Sequence, residues 1–102
     1  MMKFIRNLVS SNVNYQSLVK AGALVVDVRT PNEYQTGHVR GSVNIPLDNF
    51  EKSLSGLKTE QCVITCCASG MRSAQAKNIL ISKGFKEVYN AGSWKTLNRK
   101  IN

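Results

Sequence analysis

A chain of 102 residues has room for one domain and one site, and its 42% apolar and 20% charged residues are those of an ordinary folded protein. That composition excludes disorder, coiled coil and collagen-like repeats, and folding at this size buries somewhat more than about 60% of the unfolded surface, enough for a core without a metal or disulfide staple. Fourteen Lys and Arg against six Asp and Glu leave a charge of +8, which favours anionic partners: a small anion, an acidic protein, nucleic acid or an anionic membrane.

The chain starts with Lys3 and Arg6 beside an apolar run of only Leu8-Val9, so no signal peptide is expected. No stretch approaches the ~18 consecutive apolar residues of a membrane span, and a cytoplasmic protein with no membrane partner is the expectation. Asn14 is placed to cap a short helix carrying Tyr15, Leu18 and Val19, with Gly22 as its stop. Ala23 to Val28 is an apolar, β-branched run with the length of a buried strand. Thr30-Pro31 supplies an N-cap and a first-turn proline for a helix of one or two turns ending by Gly37. Ser42 to Ile45 reads as a second strand closed by Pro46, Asp48 to Leu54 as a weak helix, and Gln61 to Cys66 as a third strand. A helix follows over Ser73 to Lys83, with Ala76, Ile79 and Leu80 on one face and Gly84 as its stop. Phe85 to Tyr89 supplies a last strand. Strands alternating with helices predict an α/β domain over 1–102 with a mostly parallel sheet and helices on both faces, and a site outside the carboxyl ends of the strands.

The basic residues are scattered, with no run longer than Arg99-Lys100 and no interleaved aromatic stripe, which argues against nucleic acid. Three cysteines, Cys62, Cys66 and Cys67, form an odd set without Cys-x-x-Cys or Cys/His ligand spacing, so neither a disulfide framework nor a metal site is expected. The segment Cys67-Ala68-Ser69-Gly70-Met71-Arg72-Ser73 occupies the position where the site should lie. A thiol is nucleophilic as thiolate, and its pKa falls beside backbone N–H groups, a helix N-terminus and a cation. The small residues Ala68, Ser69 and Gly70 let the backbone curl into an anion-binding nest, and Arg72 adds fixed positive charge.

Together with that loop, Val25-Val26-Asp27-Val28-Arg29, Glu33-Tyr34 and Gly37-His38-Val39-Arg40-Gly41-Ser42-Val43-Asn44-Ile45-Pro46 resemble the single-domain rhodaneses, a sulfurtransferase family, over about residues 15–94. The resemblance implies a doubly wound parallel sheet of five strands, with Cys67 as catalytic cysteine and no cofactor. It implies that this cysteine takes the outer sulfur of a donor such as thiosulfate, becomes a persulfide, and passes the sulfur to cyanide or a thiol. The backbone of residues 68–72 (Ala68, Ser69, Gly70, Met71, Arg72) would cradle the anion, with Ser73 and Asp27 in support. Asp27, at a strand's carboxyl end, either orients the loop or Arg72 or only caps the next turn. Arg29 and Glu33 look like a family ion pair, and His38 and Gly41 like turn architecture.

Phosphatases related to the family carry five residues between Cys and Arg, whereas Cys67 and Arg72 enclose four, which favours sulfur transfer over phosphatase or arsenate reductase chemistry. Ala68 stands where many of the family's sulfurtransferases carry a basic residue. That departure leaves open a persulfide carrier or regulatory module with little turnover of free thiosulfate, for which an acidic protein partner suits the charge. Arg40 replaces a frequent proline, and Ala91-Gly92-Ser93-Trp94 shortens the usual Gly-Gly ending. Strand alternation turns Cys66 away from Cys67, so Cys66 reads as a small core residue, with a resolving role against a persulfide left open. Cys62, Phe85, Tyr89 and Trp94 read as core and packing residues.

Overall fold

The computed structural model describes residues 12–102. In them helices α1 (Tyr15–Lys20), α2 (Pro31–Gln35), α3 (Met71–Ser82) and α4 (Trp94–Ile101) alternate with strands β1 (Leu24–Asp27), β2 (Val43–Asn44), β3 (Val63–Cys67) and β4 (Val88–Ser93). The stretch around Lys3, Arg6 and Leu8-Val9, on which the signal-peptide expectation rests, lies outside the described residues. Among the described residues no helix is long and apolar enough to cross a membrane.

Every strand pair is parallel, in the order β2-β1-β3-β4. The chain moves outward from β1 to β2, returns to β3 and moves outward the other way to β4. The strand order therefore reverses between β1 and β3, and the crevice at their carboxyl ends is the place where α/β sheets of this kind bind ligands. Register puts Asp27 beside Cys66 there. The apolar runs in the sequence number four and form four strands; the fifth strand implied by the family resemblance is not among the described residues.

The period of two along each strand sorts side chains onto two cores. Val26, Val63 and Cys67 face α3 and pack with Ala76, Leu80 and Phe50, whereas Val25, Ile64 and Cys66 face the opposite layer and pack with Tyr15 of α1 and Leu97 of α4. Helices thus cover both faces, as the alternation of elements predicted.

Local signals fix most helix ends. Asn14 Oδ1 accepts the Ser17 N–H at 3.0 Å, and Thr30 and Glu33 close a reciprocal capping box around the first turn of α2. Gly84, at φ +97°, ends α3: its N–H donates to Ile81 and that of Phe85 to Leu80, the paired bonds of a Schellman motif. That motif corrects one expectation. Phe85 is the buried residue after a helix stop, and the last strand begins at Val88 rather than Phe85. Residues 48–54 form two 3-10 turns (Leu47–Asn49 and Glu51–Ser53) in place of a weak helix. Cys62 falls just before β3 and is half-buried, not core, because only its carbonyl joins the sheet, accepting from Leu24. Helix α4 was not expected, although Ser93 caps it and Trp94, Leu97 and Ile101 lie on its inner face.

The carboxyl end of β1 is closed by a buried ion pair. Asp27 is 0% exposed and Arg29 3%; the carboxylate accepts Arg29 Nη2 at 2.8 Å, Nε at 3.0 Å and the Arg29 backbone N–H at 3.0 Å. Arg29 also donates to the carbonyls of Glu33 and Gly37 and lies 4.6 Å over the Trp94 ring. Removing one partner of such a pair strands a charge in the interior. Asp27→Ala is expected to destabilise the fold by about 3–5 kcal/mol in urea unfolding, and adding Arg29→Met to recover part of the loss. An Asp27→Ala protein as stable as its parent would show that the pair does not hold the end of β1.

Candidate functional site

Strand β3 delivers Cys67 to the crevice, and Gly70, at φ +108°, turns the chain into α3 within three residues. A side chain at position 70 would be strained by that φ and would bring a Cβ to 3.3 Å from the Gly92 Cα, so only glycine lets the loop close against β4. The turn aims backbone donors at the sulfur. Cys67 Sγ accepts the N–H of Gly70 at 3.0 Å and of Ser73 at 3.4 Å, and lies 3.4 Å from the Ser73 hydroxyl.

Burial pushes the Cys67 thiol up, but the Ser73 hydroxyl and the amides of Ser73, Gly70 and Ser69 together outweigh it and hold the pKa below the ordinary value. The neighbouring thiols go the other way. Burial, with Asp27 second, raises Cys66 to about 12, and burial, with Glu87 second, raises Cys62 to about 11. All three cysteines are free, and Cys67 is the one whose pKa is lowered rather than raised. Cys66 lies on the opposite face, as the strand period predicted.

The backbone of residues 68–72 lines the mouth of the site above the sulfur. The donors to the Cys67 sulfur itself are Ser69, Gly70 and Ser73, with Ala68, Ser69 and Met71 exposed at the rim; Met71 is 75% exposed. The Arg72 charge and Cys67 interact electrostatically. The Arg72 guanidinium grips the Glu33 carboxylate with two bonds, Nη1 to Oε1 at 2.8 Å and Nη2 to Oε2 at 3.1 Å. The Arg29–Glu33 ion pair implied by the family resemblance is therefore corrected: Arg29 pairs with Asp27 and touches only the backbone carbonyl of Glu33. The capping box explains the exchange, because turning the Glu33 carboxylate back to the Thr30 N–H leaves it facing Arg72. Asp27 caps its own turn by accepting the Arg29 N–H, and its charge also acts on Arg72. His38 stacks on Tyr34 at 3.8 Å and bonds the Tyr34 carbonyl, as turn architecture does.

Sequence reasoning missed Asn90. Its Oδ1 accepts from the Ser73 hydroxyl at 2.6 Å and the Gly92 N–H at 2.9 Å, while its Nδ2 donates to the Gly70 carbonyl at 3.2 Å. A register shift brings it there: Thr65 pairs with Asn90 but Cys66 pairs with Gly92, so Ala91 is an extra residue in β4. A cleft of about 70 Å³ lined by Val28, Thr30, Pro46, Leu47, Asp48 and Arg72 adjoins the site. Among the described residues no group of His, Cys, Asp or Glu is arranged to hold a metal ion.

A strand-end cysteine below a glycine turn thus lies at the switch point of a parallel sheet, and comparison with known proteins shows the family. The profile of the Rhodanese-like domain matches residues 11–99, and the chain belongs to that family. It is 34% identical over 110 residues to the uncharacterized protein YqhL of Bacillus subtilis, across 96% of this chain and 87% of that one. It is 38% identical over 74 residues to the thiosulfate sulfurtransferase PspE of Escherichia coli, across 71% of each. The solved rhodanese with anions from E. coli superimposes with a TM-score of 0.67 at 37% identity, covering 72% of this chain and 89% of that one.

The Arg72 clamp holds the Glu33 carboxyl at about 2, well below the usual 4.5, with the Thr30 N–H and hydroxyl adding to it. A depressed carboxyl stabilises the fold above its unfolded value and loses that contribution as pH falls from 4.5 toward 2. Both partners are about one-third exposed, so the effect is modest, about 1 kcal/mol at most. Glu33→Gln is expected to flatten the fall of the urea midpoint across that window; an unchanged slope would assign the acid sensitivity to other carboxylates.

Proposed function

We propose that the chain is a sulfurtransferase that moves a sulfane sulfur from thiosulfate or another persulfide donor to cyanide or a thiol through a persulfide on Cys67. The observation that carries this is the set of N–H groups converging on a sulfur whose pKa they hold down, at the N-terminus of a twelve-residue helix. The thiolate attacks the outer sulfur of thiosulfate, the sulfur–sulfur bond of the donor breaks, and sulfite leaves with its electron pair. The charge then sits on the outer sulfur of Cys67–S–S⁻. Gly70 and Ser73 spend their amides on the inner sulfur, so those of Met71 and Arg72, first-turn groups without a carbonyl partner in the helix, are the donors for the outer one. Cyanide attacks that outer sulfur, thiocyanate departs, and the thiolate is restored. A double displacement of this kind predicts ping-pong kinetics.

The four residues between Cys67 and Arg72 support sulfur over phosphate as the transferred group, since a phosphoryl group needs the wider loop. A cytoplasmic setting, where thiols stay reduced, suits the three free cysteines.

One observation favours a second reading, a persulfide carrier or regulatory module with little thiosulfate turnover. Ala68 supplies no charge, and the Arg72 charge is already held by Glu33, so the loop offers a dianion no free cation. An acidic protein delivering its own persulfide would be drawn by the +8 chain without needing that cation.

Intact-mass spectrometry of the reduced protein after incubation with thiosulfate separates the two. A gain of one sulfur atom, reversed by cyanide, lost in Cys67→Ser and kept in Cys66→Ser, is the expected result. No gain on the parent protein would discard thiosulfate as donor and leave protein-delivered persulfide, while a gain that survives Cys67→Ser would overturn Cys67 as the nucleophile.

A further inference from the structure

The Ser73 hydroxyl sits between two acceptors and has one proton. Its Oγ is 2.6 Å from Asn90 Oδ1, to which it donates, and 3.4 Å from Cys67 Sγ. Ser73 is fully buried, so water does not supply an alternative partner. The Asn90 amide is fixed in orientation, because the Gly92 N–H can meet only its oxygen and the Gly70 carbonyl only its nitrogen.

With Cys67 as thiol, every proton has a place: S–H donates to Ser73 Oγ, and Ser73 O–H donates to Asn90 Oδ1. With Cys67 as thiolate, the sulfur has become an acceptor, and the hydroxyl proton stabilises it only by turning away from Asn90. The Gly92 N–H at 2.9 Å keeps Asn90 Oδ1 paired when that happens, so the rotation leaves no buried acceptor unsatisfied.

We propose that Asn90 is a positioning residue that competes with the Cys67 thiolate for the single hydroxyl proton of Ser73, so that ionisation of the sulfur and rotation of the hydroxyl are one event. The thiol's own proton leaves to solvent; the Ser73 proton only turns. Once the sulfur is persulfidated the charge moves to the outer atom, and the hydroxyl returns to Asn90. The sign differs from that of an ordinary supporting residue. Asn90 holds the resting site toward the thiol, and the thiolate forms against that pull.

Among the described residues, the other charged groups around the sulfur are paired. Helix α3 contributes Arg72, held by Glu33 of α2; β1 contributes Asp27 and Arg29, held by each other; β3 contributes the Cys66 thiol on the opposite face; β4 contributes only uncharged Asn90 and Ser93. None of these is altered by changing Asn90.

The inference rests on Cys67 being the reactive thiol, and it is tested without sulfur transfer. Thiolate absorbance is titrated against pH in the full chain, in Asn90→Ala, in Ser73→Ala and in the double variant, each with its Cys67→Ser counterpart subtracted. Ser73→Ala is expected to raise the Cys67 midpoint and Asn90→Ala to lower it, each by about half a pH unit, the scale of one hydrogen bond. In the Ser73→Ala background Asn90→Ala should move nothing. If the alanine variant does not fold, Asn90→Asp keeps an acceptor at the same place and should raise the midpoint more in the parent than in the Ser73→Ala background. An upward shift in Asn90→Ala, or equal shifts in both backgrounds, would overturn the competition and assign Asn90 to holding the Gly70 carbonyl. The coupled shifts in a chain that gains no sulfur from thiosulfate would support the competition while removing the thiosulfate reaction.

Discussion

The rest of the structure hangs on the buried Asp27–Arg29 pair. A carboxylate and a guanidinium taken from water are tolerated only if each lone pair and N–H finds a partner, and here the pair draws in the chain around it to meet that demand. Arg29 takes the carbonyls of Glu33 and Gly37, and Asn44 ties β2 to the same place by donating to the carbonyls of Asp27 and Arg29. Trp94 covers the guanidinium and meets Gly37 so closely that a side chain there would bring a Cβ to 2.9 Å from the ring. The consequence reaches the site through α2, whose Glu33 carboxylate is left facing Arg72 at the start of α3.

The sulfur depends on backbone rather than side-chain charge. Amide donors at the end of a buried strand are fixed by the fold and carry no side-chain entropy, so they hold a thiolate down without a mobile cation beside it. Closing the loop around Cys67 brings Gly70 against the Gly92 backbone, and the extra residue Ala91 in β4 makes that approach and the reach of Asn90 compatible. Fold and site therefore share one constraint, the fit of the β3–α3 turn against β4.

Charge acts on two scales. The chain as a whole carries +8 and attracts anions at long range, yet the cations nearest the crevice, Arg29 and Arg72, are each matched by a carboxylate. In the proposed sulfur transfer, long-range attraction would concentrate an anionic partner and the amides would select at contact by the position of its sulfur.

Much of this was legible in the residues. The β-branched runs at Val25 and Val63, the caps at Asn14 and Thr30 and the stop at Gly84 are local, and local chemistry decides them. Cys67 and its loop were legible for the same reason, since five consecutive positions carry the turn, the small residues and the helix start. Phe85 misled because an apolar residue after a helix stop and one opening a strand look alike until the Schellman bonds are seen. The sequence by itself determined the alternation of elements, the two faces of β3 that separate Cys66 from Cys67, and the thiol's place at a strand end. Tertiary structure alone decided which acid meets which arginine, and that Asn90 meets Ser73 across seventeen residues. Each of those partners is chosen by a long-range register or by the packing of one layer on another, and neither has a counterpart in local spacing.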